Sequence, residues 1–467
     1  MNEQNIALNR FGLGAQPGAA FSGPPKRWLL NQLEQYKARS SITDTAPKTS
    51  EICKELFDYY KIDHELRREG NKKANAKRLQ ELHIEQLERS NAIYHHFVQL
   101  RFDDAVATQT PFLNRLIYFW SNHFAVSADN MYMSRLAGPF EFDAIRPNLM
   151  GTFGDMLMSV ERHPAMLLYL NQAISVGANS ARAKKVKATS SRKAGLNENL
   201  AREILELHTL GVLGGYDQHD VIEFAKALTG WTVAGMGRRR GVLEKGEEVP
   251  GRFHFQQNFH EPGSRTIMGR VYSDQQEGQA KSVLADLAVH PSTAHHIAVK
   301  LSRHFAGDDP PQQMVDRLEK VFLESGGYLP ALYREIIASP EAWVSSPVKF
   351  KTPWEWAVSA QRALGMLKTD NVWNLIKQLG QPVWRPRQPA GYDDIASTWA
   401  GPDALMNRVR AANQLAQHSS PSQTPLAIAA RVFPHGLSGH TVSAIERAES
   451  YQQAMTLLLV SPEMMRR

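Results

Sequence analysis

The sequence predicts a mainly α protein, one large multi-helix body interrupted by a small β-hairpin insertion. Three observations predict it. Apolar residues recur at three- and four-residue spacing along most of the 467 residues. Capping Asn or Asp, first-turn Pro and trailing Gly punctuate those stretches. Only segment 231–271 changes character, with frequent Gly and Arg and short runs of alternating residues. With 42% hydrophobic and 22% charged residues, the composition excludes wholesale disorder, collagen and low-complexity fibre. No 20–50-residue repeat is visible, so residues 1–467 read as a single helical domain rather than a solenoid.

Along the chain, Glu51–Leu66 and Lys77–Arg101 read as two antiparallel helices. In the second, Leu79, Leu82, Leu87, Ile93, Phe97 and Leu100 recur amid charged residues. If continuous it is about 37 Å long. The pair, 49–105, is the most charged part of the chain and is expected to project, with Arg68-Glu-Gly-Asn-Lys-Lys as its turn. Pro111 opens the next helix at the position where its missing N–H costs nothing, and residues 139–170 form one or two more. Residues 176–196 read as an irregular basic loop. Asn197 is expected to cap a helix running to Leu210, with Gly211 as its stop. Asp217 caps the next, with Asp220 three residues on. In the insertion, Arg252-Phe-His-Phe and Thr266-Ile-Met-Gly read as short strands. Helices resume at Gln276–Ala288, Ser292–Phe305, Pro311–Ser325 and Tyr328–Ala338, and another follows Pro353. Residues 380–403, carrying Pro382, Pro386, Pro389 and Pro402, form a long loop.

Several function classes lose support at once. The single cysteine, Cys53, excludes an intramolecular disulfide and a cysteine-based zinc or iron–sulfur centre. There is no Walker loop, no Gly-x-Gly-x-x-Gly after a strand, no His-Glu-x-x-His and no Gly-x-Ser-x-Gly. The net charge of +7 concentrates in Arg182–Lys193 and Arg238–Arg240, which read as solvated loops. The first run has no interleaved aromatics, which argues against nucleic acid as a partner. No apolar run approaches the roughly 18 residues of a membrane span. The N-terminus does not read as a signal peptide, which leads to the expectation of a cytoplasmic protein.

The richest segment for chemistry is Asn197–Gly211. On a helical wheel His208 shares the buried face with Ala201, Ile204, Leu205 and Leu207, and Glu203 lies about 140° away. One reading is a helix with surface ion pairs and a core histidine bonded to a backbone carbonyl. The other puts Glu203 and His208 at the edges of a cleft. Their spacing is poor for chelating one metal alone, so a divalent metal would need ligands from other helices. His123, in Phe119-Trp-Ser-Asn-His-Phe, and His163, before Pro164, stand beside apolar residues. His260 and Glu261 sit on a tight turn with Gly263. The plain alternative there is a turn closed by a Glu261–Arg265 ion pair.

Asn9-Arg-Phe-Gly-Leu-Gly-Ala, Phe119-Trp-Ser-Asn-His-Phe, Leu196–Val212, Gly214-Gly-Tyr and Ala227-Leu-Thr-Gly-Trp resemble the bacterial domain-of-unknown-function family 1800 (DUF1800). His260-Glu-Pro-Gly-Ser-Arg-Thr, Ala298-Val-Lys-Leu, His304-Phe and Leu379-Gly-Gln-Pro add to the resemblance, which runs from about Ala7 to Ser461. It implies no assigned activity. It does imply a partner protein encoded by a neighbouring gene, phosphatase- or sulfatase-like, and export in that partner's company to the periplasm. Ser121 stands where the family commonly has a bulkier polar residue.

Two functional expectations follow. The first is an enzyme, nearest to a hydrolase, performing acid–base or metal-assisted cleavage or transfer on a polar substrate such as a carbohydrate. Glu203, His208 and His260 are its candidate catalytic groups, Arg202 and His123 substrate contacts, and Trp120 and Trp231 an apolar wall. The second is a non-catalytic helical partner of an exported protein, meeting it through the hairpin and the Pro-rich loop.

Overall fold

The helix signals act where the sequence places them. Proline occupies the first turn of Pro111–His123, Pro164–Tyr169, Pro291–Ala306, Pro353–Leu364 and Pro402–His418. Reciprocal capping boxes start Phe153–Glu161 (Thr152 with Asp155), Gln218–Leu228 (Asp217 with Asp220) and Pro353–Leu364 (Thr352 with Glu355). The computed structural model describes residues 2–17, 23–68, 72–189, 195–237, 239–366, 370–419, 423–434 and 436–467, and side chains are not described at 72–74 and 188–189. Mainly α with small β elements is the observed class, around one connected apolar core.

Helix Thr49–Arg68 packs on helix Lys72–Ala107, which at about 1.5 Å per residue is roughly 54 Å long. The expected turn tip at 69–71 lies outside the described residues. The outer part of this pair is exposed and laced with ion pairs such as Arg89–Glu55 at 2.9 Å. The inner part carries buried Tyr94, Phe97, Val98 and Phe102. It lies so close to Met131–Phe140 that a Cβ on Gly138 would fall 2.4 Å from the Phe97 ring. The core centre is aromatic: Phe11 meets Phe112, Phe305 and Trp343 with ring centroids 4.7–5.9 Å apart.

Four local differences from the sequence expectations have physical causes. The insertion holds two separate two-stranded antiparallel sheets: Trp231–Val233 pairs with Phe253–Phe255, and Arg265–Ile267 with Arg270–Tyr272. Each of the four strands has only three residues. In the basic segment Ala181–Thr189 is a helix, with the Ala183 N–H bonded to Ser180 Oγ at 3.2 Å; Arg192, Lys193 and Arg238 lie outside the described residues. The Asn197–Leu210 stretch is an α-turn at Asn199–Glu203 that widens into a π-turn at Ile204–His208. Asn197 Oδ1 accepts the Asn199 N–H at 2.8 Å, one position from the expected cap. The 380–403 loop is interrupted by one helical turn at Ala396–Trp399.

That loop is strapped down by polar contacts. The Asn122 side-chain amide imitates a strand edge: its Oδ1 accepts the Tyr392 N–H and its Nδ2 donates to the Tyr392 carbonyl, both at 2.7 Å. Gly391, at φ +82°, makes this approach feasible, since a Cβ there would lie 2.4 Å from the Asn122 carbonyl oxygen. Tyr94 donates to the Val383 carbonyl, the Ala128 N–H to the Trp384 carbonyl, and the Trp354 N–H to Gln381 Oε1, at 2.7–2.8 Å.

Candidate functional site

Beneath the strap lies a cavity of about 320 Å³. Helix Pro111–His123 forms one wall with Tyr118, Phe119, Ser121, Asn122 and His123. Helix Pro291–Ala306 contributes Lys300, Arg303 and His304. Arg101 arrives from the inner end of the long helix, Trp354 and Glu355 from the start of Pro353–Leu364, and the strap closes the space with Trp384, Tyr392 and Asp394. The volume lies near the small end of the usual ligand-pocket range of about 300–1,000 Å³, room for one ring-sized molecule.

The carboxylates at this cavity all have protein partners. The buried Glu355 closes its helix's capping box and pairs with Arg115 and with Arg467, the latter at 3.1 Å. Burial opposes its charge, but Arg467 and Arg115 outweigh that and hold its carboxyl well below the usual range. Asp394 accepts from His304 Nδ1 at 2.7 Å and from Lys349 at 3.0 Å. Burial works against its charge too, yet His304, Lys349 and Arg467 keep it at about 2. Asp393 Oδ2 accepts from Thr398 at 2.9 Å.

The basic groups are different. The ionised Asp394 fixes the His304 proton on Nδ1, so Nε2 carries a bare lone pair, and that atom has no protein partner. Burial lowers His304 to about 4, so the ring is neutral at pH 7. Lys300 donates to His123 Nδ1 at 2.9 Å. That bond fixes the His123 proton on Nε2, which donates to the His208 carbonyl at 3.1 Å. Burial, followed by the charges of Lys300, His296 and His208, holds His123 well below its ordinary value. Burial brings Lys300 down to about 8. Arg101 is anchored by Nε to Glu141 at 2.8 Å and packs against the rings of Tyr118 and Trp354, 4.3 and 4.4 Å from their centroids. Among the described residues its Nη1 and Nη2 donate to no protein partner, and the same holds for Arg303, whose Nε donates to the Asp308 carbonyl at 3.1 Å. Chemically the cavity offers free cationic donors, an unprotonated imidazole and an ammonium that titrates near neutrality.

Of the residues singled out from sequence, the structure brings His123 to this cavity and places the others elsewhere. His208 is buried, but its Nδ1 bonds to Glu161 at 2.8 Å rather than to a backbone carbonyl; only its own carbonyl reaches His123. Glu203 is partly buried and makes no hydrogen bond among the described residues; burial raises its carboxyl pKa. Arg202 is a surface group pairing with Glu198 at 3.2 Å and Gln218 at 2.9 Å. His260 donates from Nδ1 to the Thr229 carbonyl at 2.9 Å, in the insertion. The expected Glu261–Arg265 pair is replaced: Glu261 accepts the Asn179 N–H and side-chain amide at 2.7 and 2.6 Å, and Arg265 reaches Glu223 at 3.3 Å. Trp120 and Trp231 are fully buried and line no part of the cavity, Trp120 donating to Tyr333 at 2.8 Å. His163 caps its helix, accepting the Ala165 N–H at 3.1 Å. Among the described residues no group of three or more His, Cys, Asp or Glu could hold a metal ion.

Sequence reasoning missed Arg101, Lys300, Arg303, His304 and Asp394. Lys300 and His304 did stand inside motifs that carried the family resemblance, four residues apart on one helix face. Asp394 had only its place in a Pro- and Gly-rich loop to mark it.

Fold and site together define a mainly α protein that encloses a small cation-lined cavity. Among its described residues no helix is long and apolar enough to cross a membrane. The chain belongs to the family described as "Protein of unknown function (DUF1800)", which matches residues 6–466. No curated protein and no solved structure matches it.

Proposed function

We propose that this protein is an enzyme that binds a small anionic molecule in the strapped cavity and moves a proton on it. One observation carries this reading. The cavity's carboxylates are all occupied by protein partners, whereas Arg101 and Arg303 keep unfilled donors and His304 Nε2 keeps an unfilled lone pair. Buried polar groups are ordinarily satisfied, so the unpartnered groups of the buried Arg101 and His304 beside a cavity point to a ligand that completes them. A carboxylate, phosphate or sulfate supplies the missing acceptors. His304, oriented by Asp394, is the proton acceptor. Lys300, held on His123, is the proton donor, with a pKa of about 8 that suits it to that task near neutral pH.

The test begins with thermal unfolding of the full chain against a panel of small carboxylic, phosphoric and sulfuric acids. A true ligand at one hundred times its Kd stabilises by about 2.7 kcal/mol. Exchange or conversion of that ligand in D2O is then followed by NMR. His304→Gln should bind it but neither exchange nor convert it. Absence of any anion-dependent stabilisation, or unchanged conversion by His304→Gln, overturns the reading.

A further inference from the structure

The cavity's unfilled donors are not one cluster. Arg101 contacts Glu141, Tyr118, Trp354 and Trp384. Lys300 and Arg303, three residues apart on a different helix, contact His123 and the Asp308 carbonyl. The two sets share no partner. Their positions can be read along helix Pro111–His123, because Arg101 packs on the ring of Tyr118 and Lys300 bonds to the ring of His123. Five residues of helix separate those two by about 7.5 Å along the axis and about 140° around it. Phe119, Val126, Val383, Pro386 and Ile395 supply apolar lining to the same cavity.

Each pole is also built rather than incidental. Arg101 is 7% exposed. With rings against the guanidinium and Nε engaged by Glu141, its free Nη1 and Nη2 form a forked edge, the geometry that matches a carboxylate or phosphate in two parallel bonds. At the other pole Lys300 offers a point charge fixed by an imidazole whose tautomer is itself set by the His208 carbonyl, and Arg303 adds a second pair of free donors. One anion at either pole would leave the free guanidinium donors of the other pole unfilled.

Resting on the proposed anion-binding reading, we infer that the ligand carries two anionic groups, one held by Arg101 and the other by Lys300 and Arg303, joined by an apolar or ring-shaped body. His304 stands on the same helix as the second pole, one turn from Lys300, so the bond it acts on lies beside the anionic group that Lys300 and Arg303 hold.

Calorimetric titration of the full chain separates this from the parent reading. The probes are succinate, glutarate, adipate and terephthalate, each beside its monoacid (butyrate, valerate, hexanoate, benzoate), with phosphoglycolate and 3-phosphoglycerate as acids carrying one phosphate and one carboxylate. At least one dianion should bind tenfold or more tighter than its monoanionic counterpart. A dicarboxylate or a phosphocarboxylate leading the series tells which second anion is taken. Arg101→Met and Lys300→Met should each abolish that advantage. Arg101→Lys, which keeps charge and stem but lacks the fork, should retain part of it and serves if Arg101→Met does not fold. Monoanions and dianions binding within twofold of each other would overturn the two-anion inference while leaving an anion site standing. No binding by any of the acids would remove both.

Discussion

The turn around Glu261 and the cavity beneath the strap are both polar, both partly buried and both rich in charged side chains. They differ in what lies beside them: His260 Nε2 and Arg265 Nε at the turn, like His304 Nε2, have no hydrogen-bond partner among the described residues, but His260 and Arg265 do not line the cavity. At the turn Glu261 is filled by Asn179, Arg265 reaches Glu223 and also the Glu261 and Pro262 carbonyls, and Gly263 N–H finds Asp274 at 2.9 Å. At the cavity the acids are filled, while the outer donors of Arg101 and Arg303 and the His304 Nε2 lone pair are not. A polar cluster whose bonds return to the protein fixes loops in place; one whose donors end in open space is arranged around something else. The turn drew attention in the sequence because its charges are adjacent. The cavity did not, because its charges come from segments far apart in the chain.

Acid should test the difference most strongly. Burial lowers His163, His296 and His304 each to about 4, below the unfolded value of about 6.5. The unfolded chain then binds more protons than the folded one between those values, so stability falls as pH drops from 6.5 to 4. The total loss should reach several kcal/mol, measured by urea unfolding across that window. A bound anion raises the His304 value and should lessen its share, whereas the share of His163, a closed capping group, should not move. Equal insensitivity of both would erase the distinction. Next, Glu261→Ala leaves the Asn179 N–H and amide without their acceptor and should cost about 2–3 kcal/mol, with anion affinity unchanged in titration. A lost affinity would tie the turn to the cavity. The smallest effect belongs to Glu203→Gln. Because burial disfavours its charge and no hydrogen bond holds it, the melting temperature should stay level or rise slightly, with ligand binding intact.

Much of the fold was legible because caps and apolar spacing are local. Thr152, Asp217 and Thr352 start helices through bonds three residues long. His208 was correctly placed on a buried face, but its partner Glu161 lies 47 residues away, and the π-turn shifts the wheel on which Glu203 was positioned. The strands at 253–255 and 265–267 were visible as alternation, but their pairing depends on three-residue edges that alternation cannot rank. The site was hidden for a related reason. Arg101, His123, Lys300, Trp354 and Asp394 are neighbours only through the folded core, and each alone reads as an ordinary surface or core residue. The contacts that give them meaning, the Arg101–Glu141 bond, the His123–His208 carbonyl bond and the His304–Asp394 pair, span 40, 85 and 90 residues.

The Asn122–Tyr392 amide pairing divides the cavity by the way its parts are attached. The walls belong to helices packed into the core, where a changed volume disturbs many neighbours. The roof belongs to one continuous stretch, 380–395, held by a small number of polar contacts at identifiable points. For anyone wishing to reshape the pocket, this makes the roof an exchangeable cassette. Keeping Gly391, the Tyr392 backbone pairing and Asp394 preserves the dock, while Pro386 and Ile395 can be varied to recontour the space, with Arg101 and Lys300 untouched on their helices.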